Sequence, residues 1–193
     1  FVPTDSLVRP HSQPVSSLPS SPPPLTPDEI GDRLSAVLDY AERASQQPNQ
    51  YLWGGTVGPN FDCSGIVQRS FASQTIHLPR DSYQQAEFCD RVLDGSPTLE
   101  SIARLHAGDL IFFQLGSRID HVAIYWGDGR FLHSSGSDTG RNGFGWDYVV
   151  SELAGDDAED PIGQRYRQHI CGVGRVTRSL PFPAIASPPL ESL

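Results

Sequence analysis

Methionine is absent from the 193 residues, and the chain opens on Phe1. A chain without a start residue is expected to be trimmed, by processing or as a fragment, with an upstream signal or domain missing. The opening stretch FVPTDSLVRPHSQP lacks the charged start and apolar segment of a signal peptide. Long apolar runs are missing too. None approaches the roughly 20 residues of a membrane-spanning helix, so no membrane partner is expected. Basic residues are scarce: 14 Lys and Arg against 23 Asp and Glu leave a net charge of −9 and no basic stripe. Nucleic-acid binding needs clustered cations against phosphates, which sets that class aside. Cysteine is limited to Cys63, Cys89 and Cys171, none of them in a C-x-x-C pair. The usual frame of a structural zinc site is therefore missing, and neither a metal nor another cofactor is expected. A Cys89–Cys171 disulfide fits the count, but nothing in the spacing requires it. Any pairing leaves an odd thiol, which is either a small buried hydrophobe or a reactive group.

Proline and serine, by contrast, are concentrated at the ends. Residues 1–25, closing on SSLPSSPPPL, cannot bury enough apolar surface to order themselves and read as a linker. The tail from Ser179, SLPFPAIASPPLESL, reads the same way, leaving 26–178 as the expected folded unit. Thr26-Pro27-Asp28-Glu29 has the form of a capping box with proline at the first helical position. Ile30, Leu34, Val37, Leu38 and Ala41 then recur at helical spacing, predicting one helix that stops before Pro48. A second helix is predicted from Asp62, with Ile66, Val67 and Phe71 on its buried face. DLIFFQL (109–115), HVAIYW (121–126), RFLHSS (130–135) and GVGRVTR (172–178) read as strands. Helices followed by antiparallel strands make an α+β fold.

Asp62-Cys63-Ser64-Gly65 carries the clearest chemistry. With Asp62 as cap, Cys63 falls in the first helical turn, where free N–H groups and the helix dipole favour a thiolate. The thiolate is the competent nucleophile. Small Ser64 and Gly65 leave room for a substrate carbonyl, and the Cys63 N–H can help bind an oxyanion. Taken alone, a lone cysteine is more often a buried hydrophobe.

A nucleophilic cysteine needs an imidazole. Of six histidines, only His121 and His133 lie in strand-like segments that would hold them rigidly. With Gly127-Asp128-Gly129 as a three-residue loop, Ala123 pairs with His133, and His121 stands one diagonal step away on the same face. A two-residue Asp128-Gly129 turn would put the histidines on opposite faces. A shared site therefore requires an odd loop or a bulge. Given one, His121 acts as base toward Cys63, and His133 fixes its tautomer. Two hydrogen-bonded structural histidines remain the plain alternative. The acidic run 156–160 lacks the alternating spacing of a calcium loop and reads as a solvated loop. Cys89 and Cys171 read as structural.

In this order, YLWGGTVGPNFDCSG, LPRDSYQQ, AGDLIFF and DHVAIYWGDGRFLHSSG resemble the NlpC-type cysteine peptidases, which hydrolyse bacterial cell-wall peptides. The resemblance implies a papain-like α+β core, with a nucleophile-bearing helix packed on an antiparallel sheet. It implies Cys63 as nucleophile, His121 as base, His133 as the orienting third residue and Tyr51 as a residue lining the site. Asp62, Arg80 and Ser82 match positions that resemble those binding the charged ends of a short peptide. The implied partner is the peptidoglycan stem peptide or a muropeptide, cut between the γ-carboxyl of D-glutamate and the following diamino acid. Some members carry an SH3-like domain before the peptidase that recognises a free L-alanine amine, and the Pro-rich stretch stands where one would end. The implied setting is bacterial, either cytoplasmic recycling of wall peptides or the cell envelope. A peptidoglycan amidase and a catalytically silent wall-binding module are the competing functions.

Overall fold

A computed structural model describes residues 23–181, so the linker and tail expected from the sequence lie largely outside the described residues. The capping box is present at Thr26 and Glu29, but the first predicted helix is two. α1 (Pro27–Gly31) ends after little more than a turn, and α2 (Leu34–Ser45) restarts beyond Asp32-Arg33. β1 (Thr56–Val57) and β2 (Asn60–Phe61) form a small hairpin leading into α3 (Cys63–Ala72). α4 (Ser82–Phe88) and β3 (Asp90–Asp94) follow. Then come β4 (Leu110–Phe113), β5 (His121–Gly127), β6 (Arg130–Ser135) and β7 (Gly143–Tyr148). α5 (Pro161–His169) and β8 (Ile170–Arg175) complete the fold.

The larger sheet has the order β3-β8-β4-β5-β6-β7 with antiparallel neighbours throughout. Strand alternation assigns its two faces. Leu110, Phe112, Val122, Ile124 and Leu132 pack with Val37 and Ala41 of α2 and Val67 and Phe71 of α3. Ile111, Phe113, Ala123, Tyr125 and Phe131 pack with Tyr166 of α5. Both faces are covered, which is why LIFF in β4 is buried at every position. The α+β expectation holds, although α5 falls after most of the strands rather than before them.

The β5–β6 hairpin resolves the question of the two histidines. Ile124 pairs with Leu132 and Tyr125 with Phe131, the register of a three-residue loop. Gly127 then pairs with Arg130 across the two-residue turn Asp128-Gly129, and the register shift is absorbed at Trp126. Asp128 has φ 50° and Gly129 φ 78°, as a turn of this kind demands. The short turn and the shared face coexist because of the bulge.

Candidate active site

Asp62 caps α3 as expected, accepting from the Gly65 N–H at 2.6 Å. Cys63 is the first helical residue and only 7% exposed. The helix start is pressed against the preceding segment: a Cβ on Gly65 would lie 1.9 Å from the Gly55 carbonyl oxygen. A Cβ on Gly55 would in turn meet the carbonyl oxygens of Asn60 and Leu52 at 2.6 and 2.8 Å. The glycines of WGG and DCSG are thus the contact by which the preceding segment fixes the Cys63 backbone. The Phe61 carbonyl accepts from Ser134 Oγ at 2.8 Å, tying the segment before Cys63 to the strand that carries His133.

His121 is the first residue of β5, and the backbone N–H of the next residue, Val122, is among the groups that favour the Cys63 thiolate. His121 Nε2 lies 2.7 Å from His133 Nδ1, and His133 Nε2 lies 2.8 Å from Asp147 Oδ2. Both ring nitrogens of His133 are therefore occupied, so the two histidines cannot jointly ligate a metal in this arrangement. Arg141 Nη1 donates to Asp147 Oδ2 at 2.6 Å and sits 2.9 Å from His133 Nε2. Burial raises the Asp147 pKa, but the hydrogen bonds from His133 and Arg141 outweigh it and hold the group below its ordinary value. An ionised Asp147 only accepts, so the proton is on His133 Nε2. His133 Nδ1 is then an acceptor and His121 Nε2 the donor. The relay leaves the free lone pair of His121 on Nδ1.

The rings are held by aromatic packing. Tyr166 lies 4.9 Å from His121 and 4.4 Å from His133 between ring centroids, and Phe113 meets His121 edge-on at 5.3 Å. Burial lowers the pKa of His121 well below its ordinary value, and the nearby His133 lowers it further. Burial also lowers His133, partly offset by Asp147.

The thiol departs from the sequence expectation. Burial, then the Asp62 carboxylate, push Cys63 up to about 12, outweighing the N–H groups of Val122, Ser64 and Cys63 itself. The helix start does not by itself make a thiolate here. Neither Cys63 nor His121 ionises readily alone.

Cys63 opens onto a cleft of about 320 Å³ lined by Tyr51, Trp53, Asp62, Ser64, Arg80 and Ser82, with Tyr83 and residues 118–120 completing the wall. All the residues singled out in the sequence for substrate binding line it together. Tyr51 is raised by burial and then by the charges of Cys63 and Asp62. Arg80 pairs with Asp62 through two nitrogens, donates to Ser64 Oγ at 2.8 Å and keeps 33% of its side chain exposed. Ser82 is buried at the first position of α4. Arg118 stacks over the Tyr83 ring at 4.9 Å, joining two parts of the wall.

The sequence reading missed Asp147, Arg141 and Tyr166. Only the structure brings them together: Gly145 pairs with His133, and a Cβ on it would lie 2.1 Å from Arg141 Nη1. Cys89 and Cys171 are free thiols outside this cleft, and Cys171 donates to the Phe112 carbonyl at 3.4 Å. Of the acidic run, Asp160 caps α5, accepting from the Gly163 N–H.

Residues 48–167 match the NlpC/P60 family. The chain belongs to that family. Over 107 residues it is 40% identical to the murein DD-endopeptidase/murein LD-carboxypeptidase MepS of Escherichia coli K12, covering 55% of this chain and 52% of that protein. It is 36% identical over 128 residues to the bifunctional muramidase/DL-endopeptidase CwlT of Bacillus subtilis, covering 62% of this chain and 36% of that one. The chain thus spans about half, or less, of these curated relatives. Among solved structures, the peptidoglycan hydrolase RipB of Mycobacterium tuberculosis superposes with a TM-score of 0.55 at 26% identity, covering 78% of this chain and 67% of that one. A lipoprotein-like NLP/P60 family member from Staphylococcus aureus gives 0.54 at 25% identity, over 82% and 45%. The family and the papain-like α+β fold expected from the sequence both hold.

Proposed function

We propose that residues 26–178 form a cysteine endopeptidase domain that hydrolyses peptidoglycan stem peptides at the bond between γ-D-glutamate and the diamino acid. The observation that carries this reading is the relay from Asp147 through His133 to His121, at the start of the strand whose next N–H favours the Cys63 thiolate. In the proposed reaction, Cys63 passes its proton to His121 Nδ1 and the sulfur adds to the scissile carbonyl carbon. The oxyanion is stabilised by backbone N–H groups at the start of α3. Collapse breaks the C–N bond, and His121 returns the proton to the leaving amine. Water then attacks the thioester with His121 as base, releasing the acid and restoring the thiol. His133 and Asp147 hold the tautomer and stabilise the imidazolium.

Arg80 and Ser64, with Ser82 beside them, form a polar subsite next to the nucleophile and suit the free α-carboxylate that a γ-linked D-glutamate presents. Tyr51 lines the same cleft. One relative is named a murein DD-endopeptidase and another a muramidase/DL-endopeptidase, which agrees with wall peptides as the substrate class.

Incubation with defined muropeptides and product analysis by mass tests the reading. Release of fragments ending in γ-D-glutamate, abolished by Cys63→Ala, is the expected result. Separation of the whole stem peptide from muramic acid would establish an amidase instead. Substrate binding without turnover, unchanged in Cys63→Ala, would establish a wall-binding module.

A further inference from the structure

Two features of the cleft remain unused by this chemistry. The first is Asp62. Its oxygens receive five donors: the N–H groups of Gly54 and Gly65, Ser64 Oγ, and two nitrogens of Arg80. A carboxylate offers about four lone-pair positions, so Asp62 has none left for a substrate ammonium group. The second is Trp53. Its indole is 85% exposed although it lines the same cleft as Cys63, the largest exposure among the large apolar side chains described. It is not a loose side chain on a free loop. Gly54 follows it at φ 79° with its N–H bound to Asp62 Oδ2, and the Gly55 N–H donates to the Leu52 carbonyl at 2.8 Å. The backbone beside the ring is fixed, and the ring itself stands exposed at the cleft.

Resting on the proposed peptidase reading, we infer that Trp53 is a stacking platform for an amino sugar. The preferred substrate is then a stem peptide whose L-alanine nitrogen is acylated by the lactyl group of muramic acid, rather than a free peptide. A free peptide brings an ammonium group that needs an unengaged carboxylate, and Asp62 is saturated. The other cleft carboxylates, Asp81 and Asp120, stand on different segments, at the start of α4 and just before β5. An amide-linked L-alanine is neutral and carries a pyranose ring whose C–H face suits an exposed indole. Trp53 thereby separates wall-attached substrates from free peptides.

The test compares L-Ala-γ-D-Glu-diaminopimelate with the same tripeptide on its N-acetylglucosamine–N-acetylmuramic acid disaccharide. The intact chain should cleave the disaccharide form with the higher kcat/KM. Trp53→Ala should reduce that preference by about tenfold, mainly through KM, and Trp53→Phe should restore most of it. Equal losses on both substrates, or a preference for the free tripeptide, would overturn the inference. Direct binding separates it from the peptidase reading. In Cys63→Ala, the disaccharide tripeptide should shift the indole N–H resonance of Trp53, assigned with Trp53→Phe. A shift in that signal without hydrolysis by the wild type would sink the peptidase reading and keep the platform. No shift, with hydrolysis intact, would do the reverse.

Discussion

At the residue scale, chemistry at this site depends on which nitrogen of His121 is free, and that is decided two residues away. Asp147 is held ionised, so it can only accept from His133 Nε2, and the tautomer propagates to His121 Nδ1. Replacing Asp147 with Ala removes the acceptor that selects this tautomer. Turnover should fall about 10- to 100-fold with KM little changed, within the roughly 10²–10⁴-fold that general-base catalysis supplies. The histidine ¹⁵N shifts should change from one tautomer to a mixture. Loss of turnover with unchanged ¹⁵N shifts would mean that Asp147 acts only through packing. None of this was legible in the sequence. Asp147 lies in GFGWDY, where glycines hide the strand, and nothing in the spacing links it to His133. Cys63, His121 and His133 were legible because a capped helix start and a hairpin each leave a pattern. The shifted thiol was not, since burial at Cys63 depends on how α3 packs.

At the scale of elements, the site is assembled by contacts between backbones. The start of α3 approaches the 54–55 segment so closely that a methyl group at position 65 has no space. Gly65→Ala must push the hairpin and the helix apart, at a cost of about 3 kcal/mol in unfolding free energy. The same movement would break the Gly54–Asp62 hydrogen bond. Urea unfolding measures the first effect, and loss of turnover in protein that remains folded measures the second. A variant with wild-type stability and activity would show that the two segments are not in contact in solution. The elements themselves were unevenly legible. α3 and β6 begin where expected because Asp62 and the Asp128-Gly129 turn are strong local signals. α5 was overlooked although Asp160-Pro161 is a clear start, since the acidic run before it drew attention as a loop. The division of the first helix at Asp32-Arg33 and the bulge at Trp126 are tertiary solutions, one bringing α2 onto the sheet and the other reconciling a short turn with a shared face.

At the scale of the whole molecule, burying the histidine pair makes stability depend on pH. His121 and His133 both have pKa values lowered on folding, chiefly by burial. The unfolded chain therefore binds more protons than the folded one once the pH falls below the ordinary histidine value of about 6.5. Their contribution is fully present above that pH and is lost as pH falls toward the folded-state values. Each histidine can add a slope of up to about 1.4 kcal/mol per pH unit across that window. The net charge of −9 works in the opposite direction, because protonating carboxylates relieves repulsion in the compact state. Charges at the surface are screened by salt, whereas both histidines are buried, so the histidine contribution should dominate at moderate ionic strength. Urea midpoints measured from pH 8 to pH 5 should fall steadily for the wild type. His133→Gln, which keeps a hydrogen-bonding side chain but cannot take up the proton, should start less stable and fall less steeply. Parallel curves for the two proteins would show that His133 has the same proton affinity in both states, and the acid sensitivity would then belong to His121.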